Sequence, residues 1–309
     1  MDRAPPWRKL GLVLQATGEG LERTHAMLPT PHVMDDRIRI FYASCDLEMR
    51  GRVFFADFDR EPPFRIIRRS QGPVLDVGPP GAFDCDGANP SQALIIDGRL
   101  ALLYIGWRRG PPEAPYTLFG AAAFSDDDGL SFERAEEPWL APLRGERQFR
   151  TGPFLEQGPD GPRLLYIGGD GFRPCGERQL PRYALMELTC SSALEWDGPP
   201  RLLLAPDLEA DEIGFGRPVS YDDAHGTRRL MLSIRTAQGY RLVESDRRPE
   251  AIAARAFRPV IPEPLEPWES HMTCFGARCT VEDHELLFYN GDGYGRTGTG
   301  LAWRPTIKA

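Results

Sequence analysis

Hydrophobic positions fall in short runs bounded by Gly, Pro, Asp and Asn, and polar positions gather just ahead of those runs. The stretch from Phe83 to Trp107, FDCDGANPSQALIIDGRLALLYIGW, shows the unit. A polar cluster leads into a short strand, Asp97-Gly98 makes a turn, and a second apolar strand ends near an aromatic. The same order returns over residues 24–59, 149–189, 214–246 and 268–303. The second strands read IRIFYAS, LALLYIGW, RLLYIGG, RLMLSIR and ELLFYNG. Third strands follow as RVFFADFD, LFGAAAFSDD, YALMELTCS, YRLVESD and GTGLAWR, and in several repeats a weaker fourth strand precedes the next unit.

Three or four short antiparallel strands, repeated five times, predict an all-β fold, a five-bladed β-propeller. Radial repetition buries sheet faces while leaving only short edges. A β-sandwich or two small β domains are the alternatives, but neither explains a motif order that recurs without a break in composition. Inner strands are expected to begin near residues 26, 88, 152, 217 and 272. Residues 1–309 are expected to form a single propeller domain, with residues 1–23 closing the last blade or packing across it. No stretch of ten or more residues has a clear helical period, and Pro249 to Ala256 is the best short helical candidate.

Composition agrees with many turns and few helices: 32 Gly and 30 Pro in 309 residues, with 41% hydrophobic positions for the core. A net charge of −8 argues against a general nucleic-acid binder, whose phosphate contacts need a basic face. Lys9 and Lys308 are the only lysines. The N-terminal stretch has no apolar signal region and no run reaches membrane-spanning length, so a soluble, cytoplasmic protein without a membrane partner is expected. Six scattered cysteines without a CxxC pair read as free thiols, and neither a metal site nor a cofactor is expected.

In a propeller the lead-ins to the inner strands gather at one end of the central channel, and the loops between second and third strands open at the same end. The polar clusters should therefore meet in a funnel. The lead-ins bring His25; Asp84, Asp86 and Asn89 beside Trp107 and Arg108; Arg150 and Thr151; Arg217; and Glu269 and His271. The loops add Cys45, Asp46, Asp170, Arg235, Asn290, Asp292, Tyr294 and Arg296. Convergent polar groups with a few aromatics suit a hydroxyl-rich ligand. Plainer readings stand beside these: Asp84 and Asp86 as Asx-turn residues, Trp107 as inter-blade core, and NGDGYGRTGTG as a glycine-rich loop. That loop lacks GxxxxGK[ST] and is not a P-loop.

THAMLP in the first repeat, GAFDCDGANPS with LLYIGW in the second, RP in the fourth and YNGDGYGRTGTGLA in the last resemble one group of proteins. It is the five-bladed propeller superfamily of glycoside hydrolase families 43, 32, 68 and 130, with the greatest likeness to bacterial glycosidase-like members. The resemblance covers residues 24–303 and implies a funnel-shaped sugar site. Hydrolytic members carry carboxylates on three blades, and acid-assisted attack at an anomeric carbon needs two such groups. Here the first blade offers His25, the third offers Arg150 and Thr151, and Glu156 lies at the far end of its strand. Asp84 and Asp86 remain on the second blade, and Glu269 is a candidate relocated acid.

The resulting expectation is a carbohydrate-active enzyme, a hydrolase, phosphorylase or transferase. It would act at a glycosidic or sugar-phosphate bond of a small anionic sugar, such as a sugar phosphate or nucleotide sugar. Asp84 or Asp86 would be general acid/base and Glu269 the second carboxylate. His25 and His271 would bind hydroxyls or move protons, and Arg150, Arg217 and Arg296 would clamp the anion. The alternatives are a glycan- or metabolite-binding propeller without catalysis, and a biosynthetic tailoring enzyme with a repurposed funnel.

Overall fold

The computed structural model describes residues 5–306 apart from 159–160, 193–194 and 224, so Lys308 lies outside the described residues. Strands hold 57% of the residues and helices 4%. The strands form five blades around an axis. From the inside outward, blade I is Thr24–Val33, Ile38–Cys45, Gly51–Phe58 and Ile66–Arg69. Blade II is Gly87–Ile96, Arg99–Arg109, Tyr116–Ser125 and Glu133–Arg134, and blade III is Phe149–Gly158, Gly161–Gly169, Ala184–Cys190 and Trp196–Leu204. Blade IV is Glu212–Asp222, Arg228–Thr236, Tyr240–Asp246 and Arg258–Pro259. Blade V is Cys274–Val281, His284–Asn290 and Thr299–Pro305, completed on the outside by Arg8–Leu14, which pairs antiparallel with Thr299–Pro305. The inner strand of blade V packs against that of blade I and closes the ring. A short helix, Pro249–Ala253, sits where the sequence suggested one, and no described helix is long and apolar enough to cross a membrane.

The second strands show why the apolar runs are continuous rather than alternating. Neighbouring residues point to opposite faces, and both faces are covered by other blades. Leu102 joins the core between blades I and II while Leu103 joins that between II and III. Leu164 and Leu165, Leu230 and Met231, and Leu286 and Leu287 divide in the same way. The protein thus has a hydrophobic core at each blade interface.

A polar latch repeats as well. A buried acid near the start of each blade pairs with a base. Glu22 accepts from Tyr42 at 2.8 Å and pairs with Arg69 at 3.2 Å. Asp84 accepts from Tyr104 and pairs with Arg134, both at 2.9 Å. Glu146 accepts from Tyr166 at 2.9 Å and pairs with Arg150 at 2.8 Å. In blade IV Ser233 stands at the tyrosine position, and Glu212 pairs with Arg255 at 2.7 Å. In blade V Glu269 pairs with Lys9 of the closing strand at 2.7 Å, and Tyr289 stands at the tyrosine position. A buried charge is tolerated when paired and hydrogen-bonded; each latch acid has its cation, while Asp84 Oδ1 and Glu269 Oε2 have no hydrogen-bond partner among the described residues.

Candidate functional site: a funnel with one carboxylate

Lead-ins and second-to-third loops do share one end of the ring. The start of a third strand lies beside the start of the next inner strand at Gly51 and Gly87, at Leu118 and Phe149, and at Tyr183 and Gly214. Every inner strand is also bulged. Four of the bulges carry a left-handed residue: Leu28, Gly152, Arg217 and Phe275, with φ of 57°, 62°, 36° and 53°. A bulge breaks the alternation of the pleat and re-aims a side chain, here toward the axis.

These devices enclose a cavity of about 660 Å³, to which all five blades contribute. Its charged groups are Asp86, Arg109, Arg217 and Arg235, with His25 beside them. Of the residues singled out in the sequence, His25, Cys45, Asp86, Asn89, Trp107, Thr151, Arg217, Arg235 and Tyr294 line it.

Asp86 accepts from the Arg109 backbone N–H at 2.9 Å, and its other oxygen lies 3.8 Å from Arg109 Nε. Arg109 also donates to the Glu48 carbonyl, tying the loops of blades I and II across the mouth. Asn89 is buried with Oδ1 unpaired. His25 places Nδ1 2.9 Å from Thr24 Oγ1. Burial first, and the nearby Arg296 charge second, lower its pKa below 6.5, so the imidazole is neutral at pH 7. Burial pushes the Cys45 thiol up to about 12, which leaves it unreactive as a nucleophile.

Arg217 leaves blade IV and crosses the axis. Nη1 donates to Pro29 O at 2.6 Å and Phe275 O at 3.2 Å, and Nη2 to Thr30 Oγ1 at 2.8 Å and Ser91 O at 2.9 Å. One guanidinium thus ties blade IV to blades I, II and V. It has no carboxylate partner among the described residues, and burial lowers its pKa to about 9.

The other candidates are corrected. Asp84, fully buried, and Glu269 are latch acids held by Arg134 and Lys9, and neither reaches the cavity. Arg150 is the latch base of Glu146 and lies over the Tyr166 ring. Of the lead-in residues His25, Asp84, Arg150, Arg217 and His271, one from each blade, His25 and Arg217 reach the cavity, and Asp84, Arg150 and His271 do not. His271 is exposed, and Asp292 holds it from the side, accepting from its backbone N–H at 2.9 Å with Oδ2 3.0 Å from Nδ1. Asn290 is fully buried and links blade V to blade I, donating to Ala26 O and accepting from the Leu28 N–H at 2.7 Å each. Asp46 is bound by Arg50 and Arg52, and Asp170 by Arg147 outside the funnel. Arg108 lies over Phe119, and Arg296 is exposed near His25 without lining the cavity.

Sequence reasoning passed over Arg109, Gln179 and the tyrosines Tyr116, Tyr183 and Tyr240. A signal was present: YTLF, YALM and YRLV place a tyrosine where the third strand begins in three successive blades. Trp107 stacks on Tyr116 with centroids 4.3 Å apart.

No protein-family profile matches the chain. Two uncharacterized proteins, from two strains of Mycobacterium tuberculosis, are 25% identical over 301 residues, spanning 96% of this chain and 98% of theirs. Among solved structures, one described as a glycoside hydrolase aligns with a TM-score of 0.66 at 15% identity, covering 99% of this chain and 93% of its own. A GH43_1 enzyme from Xanthomonas citri complexed with xylose aligns at 0.61 and 17% identity, over 97% and 91%. An alpha-L-arabinofuranosidase from Lactobacillus brevis aligns at 0.64 and 9% identity, over 93% and 92%. The chain therefore has the five-bladed β-propeller fold of the family-43 glycoside hydrolases.

Proposed function

We propose that the funnel is the site of a carbohydrate-active enzyme acting at a glycosidic or sugar-phosphate bond of a small anionic sugar. The observation that carries this is the charge of the lining. Three arginines face one carboxylate in the cavity, although the chain as a whole has a net charge of −8. The cavity volume is that of a small-molecule site, and the propeller neighbours include an enzyme complexed with xylose.

A single carboxylate does not serve two-carboxylate hydrolysis, which needs an acid and a base or nucleophile on opposite sides of the sugar. It does serve transfer to or from phosphate. In that reaction Asp86, as a carboxylate, takes the proton of an acceptor hydroxyl. The acceptor oxygen attacks the anomeric carbon, the bond from that carbon to the phosphate oxygen breaks, and phosphate leaves with its electron pair toward the arginines. The proton then passes from Asp86 to phosphate. The reverse reaction is phosphorolysis by the same groups. Neutral His25 and Asn89 orient hydroxyls.

The test is release of phosphate from a panel of sugar 1-phosphates, and of nucleoside diphosphate from a panel of nucleotide sugars, with simple sugar acceptors. Wild type should turn over at least one, and Asp86→Asn should lower the rate about 10²–10⁴-fold. The lone carboxylate also favours a second reading, a binding propeller, which predicts a ligand-dependent rise in melting temperature and no product.

A further inference from the structure

The three cavity arginines are not equivalent. Arg109 is engaged by Asp86 and by the Glu48 carbonyl. Arg217 has its two terminal nitrogens occupied by four acceptors of the frame. Arg235 has neither kind of partner: no carboxylate pairs with it and no backbone carbonyl accepts from it among the described residues. It lies among four tyrosines drawn from four blades, Tyr116, Tyr183, Tyr240 and Tyr294. Nη1 donates to Tyr183 Oη at 2.7 Å and Nη2 to Tyr294 Oη at 3.3 Å. The Tyr183 and Tyr240 hydroxyls are 2.9 Å apart. The guanidinium carbon lies 5.6 and 5.7 Å from the ring centroids of Tyr240 and Tyr294, within cation–π range.

Counting protons shows what the cluster lacks. A guanidinium has donors only, and each phenol has one donor and can accept. Arg235 fills acceptor positions on Tyr183 and Tyr294, and the Tyr183–Tyr240 contact uses one phenolic proton. Four phenols and a guanidinium together hold far more donors than a neutral ligand needs, and among the described residues no carboxylate balances the positive charge. What completes such a wall is a group made of acceptors that carries negative charge.

We propose that Arg235 and its tyrosines form the seat of the ligand's oxyanion, a phosphate or carboxylate borne by the sugar. This rests on the reading of the funnel as an anionic-sugar site. It assigns the anion to the side formed by blades III, IV and V, bordered by Tyr116 of blade II. Asp86 and His25, from blades II and I, are left to face the sugar and the bond being made or broken. Arg217 contributes its charge from the axis without contacting the anion. The phenols also set specificity: hydroxyl donors bind a charged oxyanion about twice as strongly as they bind a neutral hydroxymethyl group.

The experiment is calorimetric titration of wild type, Arg235→Met, Arg235→Lys and Tyr240→Phe with glucose, glucose 6-phosphate and glucuronate. Circular dichroism and thermal melts confirm that each variant is folded. Wild type should bind at least one anionic sugar about tenfold or more tightly than glucose. Tyr240→Phe should lower that preference about tenfold, the usual effect of removing one donor to a charged group. Arg235→Met should abolish the preference, and Arg235→Lys, which keeps the charge without the fork, should restore part of it. The two anionic sugars distinguish phosphate from carboxylate. A preference that survives in both Arg235→Met and Tyr240→Phe would overturn the cage while leaving the anionic-sugar funnel intact. Equal binding of all three sugars to wild type would overturn the cage and leave a neutral-sugar funnel, and no binding of any of them would overturn both.

Discussion

Asp84 and Asp86 stand two residues apart, and the structure gives them opposite fates that mutation can read. Asp84→Ala leaves the hydroxyl of Tyr104, itself fully buried, without its acceptor. An orphaned buried hydroxyl costs about 1–3 kcal/mol. The Arg134 partner keeps partial access to water at 21% side-chain exposure, so loss of that ion pair adds only about 1 kcal/mol. The sum is about 3 kcal/mol. At about 2.1 cal/mol/K of unfolding entropy per residue, the 309-residue chain has about 0.65 kcal/mol/K at its midpoint, so the melting temperature should fall by about 5 °C. Asp86→Asn retains an oxygen for the Arg109 N–H and should melt within about 1 °C of wild type, while phosphate release falls as described above. Calorimetric melts and the phosphate-release assay on both variants provide the comparison. A Tyr104→Phe background should reduce the cost of Asp84→Ala by about 1 kcal/mol, because the shared bond is then already absent. If Asp84→Ala melts like wild type and abolishes turnover, the latch account of Asp84 is wrong.

Lys9→Met strips the fully buried Glu269 of the one cation that pairs with it among the described residues and should cost about 3 kcal/mol; Lys9→Met with Glu269→Gln should recover much of that in a thermal melt, and equal losses in the two variants would refute the pairing. Asp46 illustrates the pH dependence. Burial opposes its charge, but the Arg50 backbone N–H and bonds from Arg52 and Arg50 outweigh it and hold its pKa at about 2, against 3.8 ordinarily. Because the folded value is the lower one, this stabilisation is complete above pH 3.8 and disappears as pH falls toward 2. The gap in unfolding free energy between wild type and Asp46→Asn should be about 2 kcal/mol at pH 6 and close toward pH 2; a gap that widens in acid would contradict the assignment.

The propeller was legible because its strands obey a rule that repeats. Each second strand must bury both faces, so it appears as an unbroken apolar run, and the observed inner strands start at residues 24, 87, 149, 212 and 274, within a few residues of expectation. The site was legible only in part, and the reason is local geometry. A strand's period-2 alternation would put Asp84 and Asp86 on one side, but residues 83–86 form a turn rather than strand, so the two side chains part company. Asp84 and Glu269 looked functional because each is an acid ahead of an inner strand. Comparison with Glu22 and Glu146 shows that position to be equipment of the repeat. Arg235 and Tyr294 were found because a charge and an aromatic in loops are conspicuous, whereas Tyr116, Tyr183 and Tyr240 were hidden at strand starts where an aromatic needs no explanation.

The strand Arg8–Leu14 carries a consequence for biosynthesis. It is made before any blade, yet its partner Thr299–Pro305 is made after all the others. Vectorial folding can therefore assemble the first four blades only as an open arc. Until the fifth arrives, Leu14, Ile38 and Phe54 lack the Phe288 and Leu301 that cover them, and Glu269 has yet to meet Lys9. Contacts this distant in sequence form slowly, because a very long loop must close before any of them stabilises the chain. The nascent arc exposes apolar surface at both ends throughout that interval, which makes it the species in which aggregation competes with folding, and the form of this protein that a chaperone would meet.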